Sequence, residues 1–294
     1  MEQRSFVCGG AGHPLSVVDL LPQIPDRRRL PVVMIHGGFH TGQAYLRTPD
    51  GRPGWAHHFA QQGYRVLVPD WPGHGGSPGL NDIARLRSLD VAHALASLVM
   101  SIGRCILLAH SAGGPLAWWL AESLPDQIAA VIGVAPGPPA NMLAVLPETP
   151  PAGDAQAGCP VYAAQGSPAR VDDDFIRAFW ANSPRFPIAH LDQYAATIVP
   201  ESPRILNERF NIGGAGLSLS HPERVAQRPI LVVTGDLDLR HSRPVDEALA
   251  HFFQADFVWL PDKGIVGNGH MLMIEDNSHE IAELLVQWLE TRGL

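Results

Sequence analysis

The segment Ala109-His110-Ser111-Ala112-Gly113 sets a serine between an apolar run, Cys105-Ile106-Leu107-Leu108, and a helical pattern with Pro115 in its first turn. A serine hydroxyl is a weak nucleophile until a base removes its proton, and the chain must hold it clear of its surroundings for attack. A sharp strand-to-helix turn achieves this. Such an elbow needs small residues two before and two after the serine, because the backbone passes close to itself there. Ala109 fills the first position and Gly113 the second. Ser is also a common helix N-cap, so the pattern gains meaning only from its companions.

Three companions are present. A base is expected late in the chain, and His270 in Gly267-Asn268-Gly269-His270 lies after the last strand pattern, where flanking glycines permit an exposed loop. His279 reads as a helix-start or surface residue, and His241 directly follows the acid loop. An acid must accept the second imidazole N–H and so fix the tautomer. Asp238, three residues past Gly235, leads; Asp236 is the alternative, although a residue so near a strand end commonly ties down its turn. The oxyanion created by attack on a carbonyl calls for two converging N–H donors. Ala112 supplies one. The turn His36-Gly37-Gly38-Phe39 is expected to supply the other from Gly38, with Phe39 next in line; the plainer reading is that the glycines only permit a tight turn.

These residues need a scaffold, and alternating strand and helix signals predict an α/β fold: a mostly parallel central sheet with helices on both faces. The strand patterns are Val32–Ile35, Tyr64–Val68, Cys105–Leu108, Ala129–Val134, Ile230–Val233 and Asp256–Leu260. Trp55 to Gln62 and Val91 to Ile102 read as helices, and the closing helix carries Asn277 and Glu280 at capping-box spacing. From 137 to 222 the periodicity weakens and prolines accumulate, which predicts a cap region inserted into a core made of 1–136 and 223–294. Phe39, Tyr45, Trp71, His110, Phe179 and Trp180 are the candidate pocket residues. Being mostly aromatic and not basic, they predict a small-molecule substrate that is apolar near the scissile bond. Trp118 and Trp119 read as core.

Composition narrows the field further. Twenty-one basic against 29 acidic residues give a formal charge of -8, which opposes binding to nucleic acid, and Arg27-Arg28-Arg29 reads as a solvated turn. No apolar run is long enough to span a bilayer. The first residues lack a basic segment followed by a sustained apolar one, so a cytoplasmic location is expected. Cys8, Cys105 and Cys159 form no CxxC pair and read as free thiols; the 14 histidines include no HExxH, so neither metal nor cofactor is expected. A homodimer stays open.

Together, His36-Gly37-Gly38, Asp70-Trp71-Pro72-Gly73-His74-Gly75-Gly76-Ser77, Ala109-His110-Ser111-Ala112-Gly113, Gly235-Asp236-Leu237-Asp238 and His270 resemble the α/β-hydrolase superfamily over nearly the whole chain. That resemblance implies its fold and a serine hydrolase acting on a carboxylic ester or lactone, while amide or carbon-carbon cleavage, elimination, cyclisation and a non-catalytic binding role remain alternatives. Thr48-Pro49-Asp50-Gly51-Arg52-Pro53-Gly54-Trp55 and Gly267-Asn268-Gly269-His270-Met271-Leu272-Met273 look more narrowly like a subgroup of bacterial esterases. Members of that subgroup take a glutamate as triad acid from the loop after the strand that follows the nucleophile helix. Here that position is Ala135, which returns the role to Asp238. The subgroup's paired cysteines in the oxyanion turn are replaced by Gly38 and Phe39.

Overall fold

The apolar runs become the interior of one eight-stranded sheet. In the computed structural model, which describes residues 1–10, 12–24, 26, 28–80, 82–149 and 162–294, the strands are β1 Glu2–Cys8, β2 Leu15–Leu21, β3 Val32–Ile35, β4 Val66–Asp70, β5 Cys105–His110, β6 Ile128–Val134, β7 Ile230–Thr234 and β8 Asp256–Trp259. Their spatial order is β1-β2-β4-β3-β5-β6-β7-β8. From β4 to β8 every pairing is parallel; β2 runs antiparallel to β4, and β1 to β2. Strands β3, β5, β6 and β7 are buried along their whole length, as expected of parallel strands covered on both faces.

Two apolar layers provide that cover. Val91, Leu95 and Leu98 of helix Ser88–Ile102, Leu116 and Leu120 of helix Gly113–Ser123, and Leu249 and Phe253 of helix Arg243–Phe253 pack on one face. Trp55 and Phe59 of helix Trp55–Gln61 and Ile281 and Leu285 of helix Ser278–Glu290 pack on the other. Between β6 and β7 the described chain carries only short helices, among them Asp173–Phe179, Leu191–Ala195 and Pro203–Arg209. Trp118 is fully buried, as its helical position suggests.

Several elements depart from expectation. The antiparallel pair β1 and β2 escapes the apolar pattern because β1 is almost wholly exposed; β2 is held partly by Asp19, which accepts from Arg4 and Arg65 at 2.9 Å. The capping box at Asn277 does not form: Asn268 Nδ2 donates to the Asn277 side chain at 2.7 Å, and that side chain makes no cap bond. Cys8 and Cys105 are free thiols, and burial raises the Cys105 pKa to about 12. Cys159 and Arg27 lie outside the described residues; Arg28 and Arg29 pair with Asp26 and Glu290 at the surface. No described helix is long and apolar enough to cross a membrane.

Candidate active site

Parallel strands deliver their following loops to one edge of the sheet, the usual place for a site in such folds. At the end of β5 the chain turns abruptly into helix Gly113–Ser123, and Ser111 sits at the corner with φ of 50°. A non-glycine residue is seldom found there, and such strain persists where the surroundings impose it. Space is short around the corner: a Cβ added to Gly113 would lie 2.7 Å from the His36 carbonyl, and one added to Gly37 would lie 3.0 Å from the Ser111 Cβ. Gly113 therefore acts through close backbone approach.

His270, on the loop after β8, meets the acid from the loop after β7. Its Nδ1 is 2.6 Å from Asp238 Oδ2, and both side chains are buried. Since the carboxylate can only accept, the proton lies on Nδ1 and Nε2 keeps its lone pair. Asp238 Oδ1 is held by the N–H groups of Arg240 at 2.8 Å and His241 at 3.2 Å. Burial alone would raise the Asp238 pKa, but the charge and hydrogen bond of His270 outweigh it, and the carboxyl is held below its ordinary range. Burial lowers the His270 pKa; Asp238 opposes this, and His241 and Arg209 add to it, leaving the value below the ordinary imidazole one. Asp236 does something else. Its Oδ1 accepts from Gly267 N–H and Asn268 N–H at 2.9 Å, tying down the loop that presents His270. Glu275 adds a second tie through Gly269 N–H at 2.7 Å.

The two segments 48–55 and 267–273 are linked through the start of the last helix. Arg52 donates to the Ile274, Glu275 and Asp276 carbonyls and to Ser278 Oγ, and Trp55 Nε1 donates to the Ser278 carbonyl at 2.7 Å.

The turn after β3 is pinned on nearly every group. His40 Nδ1 donates to the Gly38 carbonyl at 2.8 Å, so its Nε2 accepts from the Tyr194 hydroxyl at 2.7 Å. Val199 N–H donates to the Phe39 carbonyl at 2.9 Å. Phe39 N–H donates to Glu201 Oε2 at 3.1 Å, which corrects its candidacy as an oxyanion donor: the group is already engaged. Gly38 N–H and Ala112 N–H meet no acceptor among the described residues.

Ser111, His270, Gly38, Phe39, His40, His110, Phe175, Trp180, Arg209 and Arg240 line one enclosed chamber of about 20 Å³. Of the candidate pocket residues, Phe39, His110 and Trp180 are in this lining. Tyr45 and Trp71 are not: both are fully buried core residues, Tyr45 donating to the Ile35 carbonyl at 3.0 Å and Trp71 stacked on His36. Phe179 stands behind the wall, packed on Phe175 and beneath the Arg240 guanidinium. The two arginines also correct the expectation of a lining without basic groups. His40, adjoining the glycine turn, was readable in principle; Phe175 lies one helical turn before Phe179; nothing local in the sequence marks Arg209 or Glu201. His241 is paired with Asp246 at 3.0 Å, and His279 with His58 at 3.1 Å.

Known proteins resemble the chain in sequence and in fold. The chain is 24% identical to "Probable secreted lipase phiG" from Fungal sp., over 97% of this chain and 88% of that one. It is 33% identical to the pyrethroid hydrolase of Sphingobium wenxiniae over a shorter stretch, 34% of each. A thermophilic esterase from Thermogutta terrifontis superposes over 100% of both chains with a TM-score of 0.70 at 18% identity, a likeness of fold. The sequence pattern of the Alpha/beta hydrolase family matches residues 32–284, from the first parallel strand into the last helix. The chain belongs to the α/β-hydrolase family.

Proposed function

We propose that this protein is a serine hydrolase that cleaves a carboxylic ester or lactone through Ser111, His270 and Asp238, with the described residues of 137–222 forming a cap over the site. The observation that carries this reading is that His270, paired with Asp238, lines one chamber with a serine on a strained elbow and with Gly38, whose N–H, like that of Ala112, meets no acceptor among the described residues. His270 Nε2 takes the Ser111 proton as Oγ bonds to the carbonyl carbon. Gly38 N–H and Ala112 N–H receive the developing oxyanion. Collapse expels the alcohol, protonated by His270, and leaves an acyl-enzyme; water, deprotonated by the same imidazole, then releases the acid. The esterase, lipase and hydrolase relatives support a hydrolase of this kind. On a panel of chromogenic esters, lactones and amides, turnover is expected for esters or lactones, and turnover of amides alone would overturn the assignment.

The same panel gives a pH test. Neutral His270 is the active form, so kcat/KM falls as pH drops through its pKa. Because that pKa is lowered, the acid limb is expected below the ordinary imidazole value of about 6.5. A limb centred above 7 would contradict the assignment.

The chamber has room for about one water molecule, so an acyl group must displace its aromatic wall. Trp180 stacks edge-on against His40 with ring centroids 4.6 Å apart and leans on Phe39. Trp180→Ala is expected to change KM and chain-length preference severalfold while leaving the labelling rate of Ser111 by a small fluorophosphonate nearly unchanged. Equal losses in both measurements would make Trp180 part of the core.

A further inference from the structure

Glu201 is fully buried, and its carboxylate stands behind Gly38 and Phe39 of the chamber wall. Oε2 accepts Phe39 N–H at 3.1 Å and Oε1 accepts Ser202 N–H at 2.7 Å. Oε1 also lies 3.2 Å from His74 Nε2, where both side chains are wholly inaccessible. His74 Nδ1 is 3.1 Å from the Pro72 carbonyl. Nδ1 donates to that carbonyl, whereas Nε2 stands at ion-pair distance from Glu201 Oε1 without hydrogen-bond geometry toward it. With a second proton, on Nε2, the ring is a cation beside the carboxylate.

A Cβ built on Gly38 would lie 3.4 Å from Glu201 Oε2 and 3.7 Å from the Ala112 Cβ, so the carboxylate lies close to the turn that carries the Gly38 N–H assigned above to the oxyanion. A bare negative charge there would oppose an oxyanion in surroundings that screen poorly. We propose that Glu201 and His74 form a charge-compensated clamp on the oxyanion turn: Glu201 positions Gly38 N–H by holding Phe39, and the His74 cation cancels the charge that this hold introduces. The inference rests on the hydrolase reading above. Glu201 is a positioning residue in this account, acting through the turn.

The groups around the pair fit that role. Asp70, at the end of β4, adds negative charge near His74, while Asp70 itself is occupied by Gly42 N–H and Gly76 N–H at 2.7 Å. His36 lies nearby, its ring tilted against that of His74, but stays neutral: burial lowers its pKa well below the ordinary value, and its Nε2 accepts Trp71 N–H. His40, on the other side of Glu201, is held to about 4 by burial and is neutral as well. Burial opposes the charge on His74, yet Glu201, the Pro72 carbonyl and Asp70 outweigh it and raise its pKa. The compensating cation is thus present below that raised pKa and lost as pH rises through it, which predicts an alkaline limb in kcat.

The test compares wild type, Glu201→Gln and Glu201→Ala by kcat, KM and pH profile on one ester, with imidazole ¹⁵N NMR of His74. Expected in the wild type are two protonated His74 nitrogens at pH 7 and a kcat that declines on the alkaline side. Glu201→Ala frees the turn, and kcat is expected to fall about a hundredfold, the loss typical of an ångström-scale misplacement, with KM changed less than about threefold. Glu201→Gln keeps an acceptor for Phe39 N–H but removes the charge; kcat at pH 7 should return to within about tenfold of wild type, His74 should become neutral, and the alkaline limb should vanish. A neutral His74 in the wild type at pH 7, or an alkaline limb unchanged in Glu201→Gln, would overturn the clamp. A wild type with doubly protonated His74 that hydrolyses no ester would overturn the hydrolase reading instead, and the positioning role with it. Should Glu201→Ala fail to fold, the glutamine variant alone decides through the limb and the NMR signal.

Discussion

Replacing Ser111 with alanine is expected to lower kcat by about 10⁴- to 10⁶-fold, since only binding and the oxyanion N–H groups would remain to accelerate the reaction. At about 1.4 kcal/mol per factor of ten, this is a loss of ~5–8 kcal/mol of transition-state stabilisation. The fold should be nearly unaffected. Both residues bear a Cβ at the left-handed corner, and the elbow is held by backbone contacts that the substitution leaves intact: Ser111 N–H donates to the Val134 carbonyl at 3.2 Å, and the N–H groups of Gly114 and Gly137 donate to the Ser111 carbonyl at 2.9 and 2.8 Å. Thermal melting alongside single-turnover kinetics separates the two effects. Retention of more than a tenth of wild-type activity by a folded Ser111→Ala protein would remove Ser111 from the mechanism.

The second large effect concerns the acid. Asp238→Asn is expected to reduce kcat by up to about 10⁴-fold, because an amide N–H facing His270 Nδ1 favours the tautomer that puts the proton on Nε2, where the serine needs a base. It also removes the anion that stabilises the imidazolium formed during attack. Asp236→Asn should cost far less. Its side chain bonds the Gly267 and Asn268 N–H groups, and an asparagine carbonyl oxygen can still accept there. Comparing kcat for the two variants on one ester decides between them: a near-normal Asp238→Asn would end its assignment, and a larger loss in Asp236→Asn would transfer the role.

Which parts were readable follows from where the determining contacts lie. The central strands are short apolar runs buried on both faces, so their identity is local and β3, β5, β6 and β7 emerge almost to the residue. The elbow at Ser111 and the loop position of His270 were legible because an elbow requires small neighbours and a presenting loop tolerates glycines, constraints that act within a few residues. Asp238 and Asp236 share one loop, and only a contact across the sheet edge distinguishes the carboxylate at His270 from the one at the loop backbone. Tyr45 and Trp71 were misplaced for the same reason. An aromatic beside a glycine turn can face the substrate or the core, and its direction depends on tertiary packing. Arg209 and Glu201 come from the region between β6 and β7, far in sequence from the residues they approach, so no spacing rule could reach them. The exposed β1 owes its strand to pairing with β2, a partner choice that amphipathic periodicity does not encode.

The central claim is that Ser111 is a nucleophile activated by His270 and its carboxylate. Its most direct measurement is fluorophosphonate labelling of the intact protein, with the adduct located by peptide mass spectrometry and its rate followed against pH. The account predicts one adduct per chain, on Ser111, forming at a rate that falls with protonation below about pH 6.5 and by orders of magnitude in His270→Ala. A folded protein that takes up no label, or takes it up on another residue at a rate indifferent to His270, would contradict it.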